Sequence, residues 1–140
     1  MHKKHIPLDY LYASLQQRLE LLAGIVDTDG HRDPRGRYRV STCNKTLASQ
    51  IQSLVFSLGG NAYVMVAPPA LSSSGIQGKQ SVYQVGFNLP HLLPVVLPRK
   101  SNKGLPYIKR KRSIVDICKA ADPLPGHCIE VDGGVYLAGA

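Results

Sequence analysis

Apolar side chains recur at helical spacing in two segments of the chain. The first segment, "SLQQRLELLAGIVDTDG" (14–30), begins with Ser14 and Gln17 in the arrangement of a capping box, which predicts a helix start. Its apolar positions repeat every three or four residues: Leu15, Leu19, Leu22, Ala23 and Val26. In the second, "NKTLASQIQSLVFSLGG" (44–60), Asn44 can cap a helix that Gly59-Gly60 ends. The stripe of this second helix comprises Leu47, Ile51, Leu54, Val55 and Leu58.

Two other segments have the period-two alternation that is typical of strands, 34–42 ("PRGRYRVST") and 80–88 ("QSVYQVGFN"), and the short apolar run 62–66 ("AYVMV") also predicts a strand. In the first of them, one side carries Arg35, Arg37, Arg39 and Ser41, and the other carries Tyr38, Val40 and Thr42. In 80–88, Tyr83, Val85 and Phe87 are expected on the core side, opposite Gln80, Val82, Gln84 and Asn88. Prolines exclude a long helix from the segment that follows, 89–100.

The C-terminal part predicts a β-hairpin, because two strand-like runs flank the turn-forming "ADPLPG". The order helix, strand, helix, strand, strand predicts an α+β domain in which one sheet face is lined by arginine and the other is apolar. A strand face with ordinary solvated charges is the alternative for the arginines.

Charge narrows the function classes more than length does. A chain of 140 residues suits one ordinary domain. Its 17 Lys and Arg against 9 Asp and Glu give a net charge of +8, which favours an anionic partner. Basic residues concentrate between Arg99 and Arg112, where a solvated basic loop is the alternative. The prolines of this part argue against an amphipathic helix that would bind a membrane. Three widely separated cysteines and the lack of an apolar signal or membrane span fit an intracellular, DNA-associated protein.

Two acids, Asp27 and Asp29, end the first helix, where the negative end of the helix macrodipole disfavours them. A calcium loop starting at Asp27 is excluded, because His31, Arg32 and Tyr38 occupy its fifth, sixth and twelfth positions. Two interpretations remain open. The acids either begin a turn into the strand, or they bind Mg²⁺ beside the basic face, as in phosphodiester hydrolysis.

The segment "LAGIVDTDG" (22–30) resembles the motif that names the LAGLIDADG homing endonucleases, with six of nine positions identical. Its context resembles the second endonuclease repeat of an intein, and "HCIEVDGGVYLAG" (127–139) resembles the last strands of an intein's splicing domain. The resemblance implies an endonuclease repeat over 1–112 and an intein-like C-terminal hairpin over 113–140. It also implies a fold: one αββαββ-like half with a saddle-shaped antiparallel sheet, whose motif helix packs against that of a second half.

The resemblance further implies roles for particular residues. Asp29 matches the acid that coordinates the catalytic Mg²⁺, and Asp27 matches a more structural acid. A lysine late in the repeat assists near the metals, for which Lys109 and Lys111 are the candidates. The residues expected to contact DNA are Arg35, Arg37, Arg39, Gln80, Val82, Gln84, Arg99, Lys100 and Arg110. The residues expected at the contact between motif helices are Leu19, Leu22, Ala23, Gly24 and Val26.

The chain carries one such motif, whereas the family cuts two strands with two, so a homodimer or a second half is expected. The expected function is Mg²⁺-dependent, sequence-specific cleavage of double-stranded DNA. A DNA- or RNA-binding module that no longer cuts and an intein fragment without its other half are the alternatives. Splicing is not expected, because these 140 residues lack an N-terminal splicing block and a terminal His-Asn.

Overall fold

The computed structural model describes residues 4–69, 77–104 and 116–117. The chain divides into two compact units, Met1–Lys109 and Arg110–Ala140, and the elements below belong to the first. The predicted hairpin over 113–140 lies outside the described residues, apart from 116 and 117.

The first unit is an α+β fold, as predicted, with helices on an antiparallel sheet. The helices are α1 (Leu8–Leu11), α2 (Leu15–Asp29), α3 (Lys45–Ser57) and a 3-10 helix (Pro98–Lys100). The strands are β1 (Gly30–Arg32), β2 (Tyr38–Thr42), β3 (Asn61–Ala67) and β4 (Val82–Asn88), ordered β1-β2-β4-β3 with every neighbouring pair antiparallel. None of the helices in the described segments is long and apolar enough to cross a membrane.

The predicted helix boundaries are confirmed by their capping contacts. The Ser14 side chain accepts a hydrogen bond from the backbone N–H of Gln17, and the Gln17 side chain accepts one from the backbone of Ser14, so the capping box forms. Asn44 Oδ1 accepts from the backbone N–H of Leu47 at 3.1 Å and caps α3. Gly59 follows α3 at a φ of +71°, a conformation that glycine adopts without strain.

The core lies between one face of the sheet and helices α2 and α3. The side chains predicted to line it from α3 are buried or, for Leu47, packed against it. From the sheet, Tyr38, Val40, Val85 and Phe87 are buried as predicted, and Tyr83 packs beside them. The rings of Tyr38 and Phe87 stack with their centroids 5.3 Å apart, which ties β2 to β4.

The predicted strand over 34–42 is shorter than expected, because its first residues form a turn. The backbone carbonyl of Asp33 accepts a hydrogen bond from the backbone N–H of Gly36 at 3.0 Å, and Gly36 has a φ of +82°. The sequence Asp-Pro-Arg-Gly (33–36) has the residues that a type I turn favours at its first, second and fourth positions. The turn joins β1 to β2 in a hairpin, and β1 itself was missing from the sequence-based prediction.

Gly30 allows the chain to turn from α2 directly into β1. A Cβ at this position would lie 2.7 Å from the Cα of Val26 and 2.9 Å from its carbonyl oxygen, both of them backbone atoms. Replacing Gly30 with alanine is therefore expected to lower the free energy of unfolding by about 1–3 kcal/mol, measured by urea denaturation. Gly24→Ala is the control, because a Cβ there meets nothing within 4 Å. Equal stability of Gly30→Ala and the native protein would contradict the close approach.

Candidate functional site

The two acids at the end of α2 have different environments. The Asp27 carboxylate accepts hydrogen bonds from the backbone N–H groups of Val96 at 2.7 Å and Leu97 at 3.3 Å. Asp27 therefore anchors the segment before the 3-10 helix to the end of α2. Backbone donors that stabilise a carboxylate explain why this acid is tolerated at a helix C-terminus.

Asp29 is the last residue of α2 and is exposed to solvent. Among the described residues, no group donates a hydrogen bond to its carboxylate or forms an ion pair with it. The next residue begins β1, so this free carboxylate lies where the helix meets the sheet. Of the two acids, Asp29 is thus the one available to an external ligand.

Lys100 lies at the same helix end, and its position corrects the prediction that it contacts DNA. Its side chain is 6% exposed, and its ammonium donates to the carbonyl oxygens of Val26 at 2.7 Å and Asp27 at 2.9 Å. The Val26 carbonyl also accepts the backbone N–H of Gly30, the C-cap of α2, whereas the Asp27 carbonyl belongs to the last turn, whose carbonyls have no partner within the helix. A buried ammonium cannot reach a phosphate or a base, but it offsets the negative end of the helix macrodipole.

Two further hydrogen bonds hold the backbone around Lys100 against the sheet. The hydroxyl of Tyr38 donates to the Lys100 carbonyl at 2.8 Å, and the Arg32 Nε donates to the Arg99 carbonyl at 3.4 Å. Burial raises the pKa of the Tyr38 hydroxyl to about 12, so the phenol stays protonated and can donate at neutral pH. The end of α2, the 3-10 helix and strands β1 and β2 therefore form one connected junction.

The outer face of the sheet, on the side opposite the core, carries three of the residues predicted to contact DNA. Arg39 on β2 and Val82 and Gln84 on β4 lie on this face and are partly exposed. Gln80 is exposed but lies before the first residue of β4, so its prediction as a strand residue is wrong. Arg99 is exposed on the 3-10 helix.

Arg35 and Arg37 belong to the β1–β2 turn and not to a continuous arginine-lined strand. The backbone N–H groups of both donate to Asp33 Oδ1, and the Arg37 guanidinium pairs with Asp33 Oδ2 at 2.8 Å. Burial alone would raise the pKa of Asp33, but the hydrogen bonds and the charge of Arg37 outweigh it and lower the pKa. Arg37 is consequently neutralised at neutral pH by an ionised acid of its own turn.

The predicted helix–helix contact also requires a correction. Leu19, Leu22, Ala23 and Val26 are buried in the core of their own chain, so they cannot also form a contact with a second copy. Gly24 is exposed, and the Thr28 hydroxyl, also exposed, donates to its carbonyl at 3.0 Å. The open face of α2 therefore runs through Gly24, which belongs to the predicted set, and Thr28, which does not. Helical periodicity identified the apolar stripe but gave no indication of which partner it meets.

Lys109, Lys111 and Arg110 lie outside the described residues. The register of the sheet adds residues that the sequence-based prediction did not assign to DNA contact: His31 opposite Arg39, Tyr63 opposite Gly86 and Met65 opposite Gln84. For Tyr63 and Met65 part of the signal was present, because both belong to the segment 62–66, which was predicted to be a strand. The pairing of β3 with β4, which decides their face, is not visible in that segment alone.

Comparison with known proteins relates the chain to part of a DNA helicase. No family model matches the chain. Over 143 aligned positions it is 29% identical to a protein from Mycobacterium intracellulare named replicative DNA helicase DnaB, and the alignment takes in 96% of this chain. The chain spans only 23% of the length of that helicase.

Proposed function

We propose that this chain is one half of a LAGLIDADG-type, Mg²⁺-dependent DNA endonuclease of an intein, acting as a homodimer or beside a second half. The observation that carries the proposal is the position of Asp29. Its carboxylate is exposed and unpaired among the described residues, and it lies where α2 runs into a sheet whose outer face bears Arg39 and Gln84. The α2-β1-β2-α3-β3-β4 order agrees with the αββαββ half that the sequence resemblance implies.

Asp29 suits a cation that is shared between protein and DNA. No three His, Cys, Asp or Glu side chains of the described segments lie close enough to hold a metal among themselves. Mg²⁺ needs no such set, because it binds one or two carboxylates and completes its shell with phosphate oxygens and water. A bound Mg²⁺ would stabilise the attacking and leaving oxygens of phosphodiester hydrolysis. The second carboxylate would come from Asp29 of the other half.

Lys109 and Lys111, the candidates for the supporting lysine, lie outside the described residues, and Lys100 is proposed here in a supporting role through the helix end. It comes late in the repeat, and its ammonium binds the last turn of the helix that carries Asp29. In this role it fixes the end of α2 and contributes a positive charge beside the site where negative charge gathers. Asp27 restrains the same helix end through the backbone of Val96 and Leu97. Together these contacts hold Asp29 in place without using its carboxylate.

The partial match to a helicase supports an inserted element. The chain contains no G-x-x-x-x-G-K-[ST] sequence, the motif by which P-loop motor domains cradle a triphosphate. It is similar to 23% of the length of a helicase without carrying that motif, as expected if the shared segment is an insertion and not the motor. The proposal that the segment is an intein's endonuclease rests on this match together with the sequence resemblance.

Selection on a randomised duplex library tests the proposal. The full chain is incubated with the library in Mg²⁺, and cut molecules are recovered and sequenced. A near-palindromic cut site would support a homodimer, because two-fold symmetry of the protein requires it of the DNA. Specific binding without cut product would favour a module that no longer cuts or a half that requires its partner. Absence of any preference for duplex DNA would overturn the proposal.

The open face of α2 provides a second test. Gly24→Leu is expected to reduce association between halves at least tenfold, because helices that meet at a glycine cannot accept a large side chain. Sedimentation velocity measures the association. The change should leave the fold of the single chain intact, since a Cβ at Gly24 meets nothing within 4 Å. Leu15→Ala, at another exposed position on α2, is the control. Unchanged association of Gly24→Leu would exclude Gly24 from the contact between halves.

A further inference from the structure

The outer face of the sheet is divided into three rows that cross the strands. The register places His31, Arg39, Gly86 and Tyr63 in the first row, the Arg39 row. The second, the Gln84 row, contains Ser41, Gln84 and Met65, and the third, the Val82 row, contains Val82 and Ala67. Each row is two residues further along the strands than the row before it, which is the spacing of side chains on one face.

The three rows differ in chemistry. The Arg39 row is cationic and hydrogen-bonding, and the Tyr63 ring lies over Gly86, where an added Cβ would clash with the ring. The Gln84 row presents an amide between a hydroxyl and a thioether. The Val82 row is aliphatic, and Met65 adds to it diagonally, with 57% of its surface exposed. Met65, Val82 and Ala67, here named the apolar strip, therefore form one apolar end of an otherwise polar face.

We propose that the apolar strip recognises the 5-methyl group of thymine in the major groove. The inference rests on the proposed function, which supplies duplex DNA as the occupant of this face, in keeping with the net charge of +8. Among the major-groove edges of the four bases, only thymine presents an apolar group, and aliphatic side chains are its usual contacts. The other three bases present hydrogen-bond donors and acceptors there, and an aliphatic side chain cannot pair with these groups.

The row spacing gives the order of the bases. Side chains of successive rows are about 6.6–6.8 Å apart along a strand, twice the rise of about 3.4 Å between base pairs. A strand that follows the groove travels further than this rise for each base pair, so the rows meet positions about one to two base pairs apart. Arg39 suits guanine and Gln84 suits adenine by bidentate hydrogen bonding. Each half-site is therefore expected to prefer guanine, adenine and thymine in that order, at intervals of about one to two base pairs.

Removal of a single methyl group tests the inference. In the site recovered from the library, each thymine is replaced in turn by deoxyuracil, and binding of the full chain is measured at fixed salt. At the thymine facing the apolar strip, the substitution should weaken binding about fourfold, because one methyl group is no longer buried in the complex. Replacing the same position with 5-methylcytosine should weaken binding less than unmethylated cytosine does.

Two neighbouring residues of β3 provide the protein variants. Met65→Ser should reduce the difference between thymine and deoxyuracil at that position, because Met65 is the most exposed side chain of the apolar strip. Val66→Ser is the matched control, because Val66 is 60% exposed, against 57% for Met65, and points to the other face of the same strand. Both side chains are largely exposed, so neither change should unfold the chain. Specific binding that is indifferent to every deoxyuracil would overturn this inference and leave the endonuclease proposal intact, whereas loss of all specific binding would overturn both.

Discussion

Replacing Asp29 with asparagine is expected to reduce DNA cleavage by at least about a thousandfold while leaving DNA affinity within a few-fold of the native value. The amide removes the negative charge that a divalent cation requires and keeps the size of the side chain. The fold should not change, because the Asp29 carboxylate is exposed and has no hydrogen-bonding or ionic partner among the described residues. Cleavage of the selected site in Mg²⁺ and binding in Ca²⁺ measure the two effects separately.

Asp27→Asn is the matched control for this experiment. Val96 and Leu97 donate to different carboxylate oxygens, so an asparagine would place its NH2 group, which cannot accept, against one of the two backbone donors. It should therefore lower the free energy of unfolding by about 1 kcal/mol, with a smaller effect on cleavage than Asp29→Asn. Cleavage that survives Asp29→Asn, or the same loss of stability in both variants, would contradict the division of roles between the two acids.

The helices could be predicted from the sequence because their determinants are local. The capping contacts of Ser14 and Asn44 span three residues, and an apolar stripe needs only the helical period to be recognised. The core side of β2 and β4 was predictable for the same reason, since alternation within one strand separates its faces. Local patterns therefore indicated which side chains are buried.

What the sequence did not reveal depends on pairings between distant segments. The ammonium of Lys100 binds carbonyl groups 73 and 74 residues earlier, and nothing around Lys100 distinguishes it from the exposed Arg99 beside it. The chemistry of the outer face likewise depends on the register of β3 against β4. The β1–β2 turn is different, because Asp33, Pro34 and Gly36 carried its signal and the alternation of the arginines concealed it.

The presence of two acids at a helix end is explained by what surrounds them. Backbone N–H groups from Val96 and Leu97 stabilise Asp27, and the Lys100 ammonium supplies positive charge at the last carbonyls. With the helix end stabilised in this way, an unpaired carboxylate at Asp29 is less unfavourable than it would be on an isolated helix. The junction thus permits an exposed acid to be held at a fixed place beside the sheet.

Replacing Lys100 with methionine is expected to lower the free energy of unfolding by about 1.5–3 kcal/mol, measured by urea denaturation. Methionine fills a similar buried volume, so the loss reports the two hydrogen bonds from the ammonium to the carbonyls of Val26 and Asp27. Release of the last turn of α2 should also displace Asp29. Cleavage should therefore fall at least tenfold, even at temperatures where the variant remains folded.

The effect is specific to the buried lysine if Lys103→Met, at an exposed position three residues later, leaves both stability and cleavage unchanged. Full stability of Lys100→Met would mean that removing a buried charge compensates for the lost hydrogen bonds, as buried ionic groups sometimes allow. Reduced stability with normal cleavage by the folded variant would show that Lys100 caps α2 without placing Asp29. Only a Lys100→Met variant that loses both stability and cleavage connects this helix end to the chemistry. In that case the Lys100 ammonium and the Asp29 carboxylate act through the same last turn of α2.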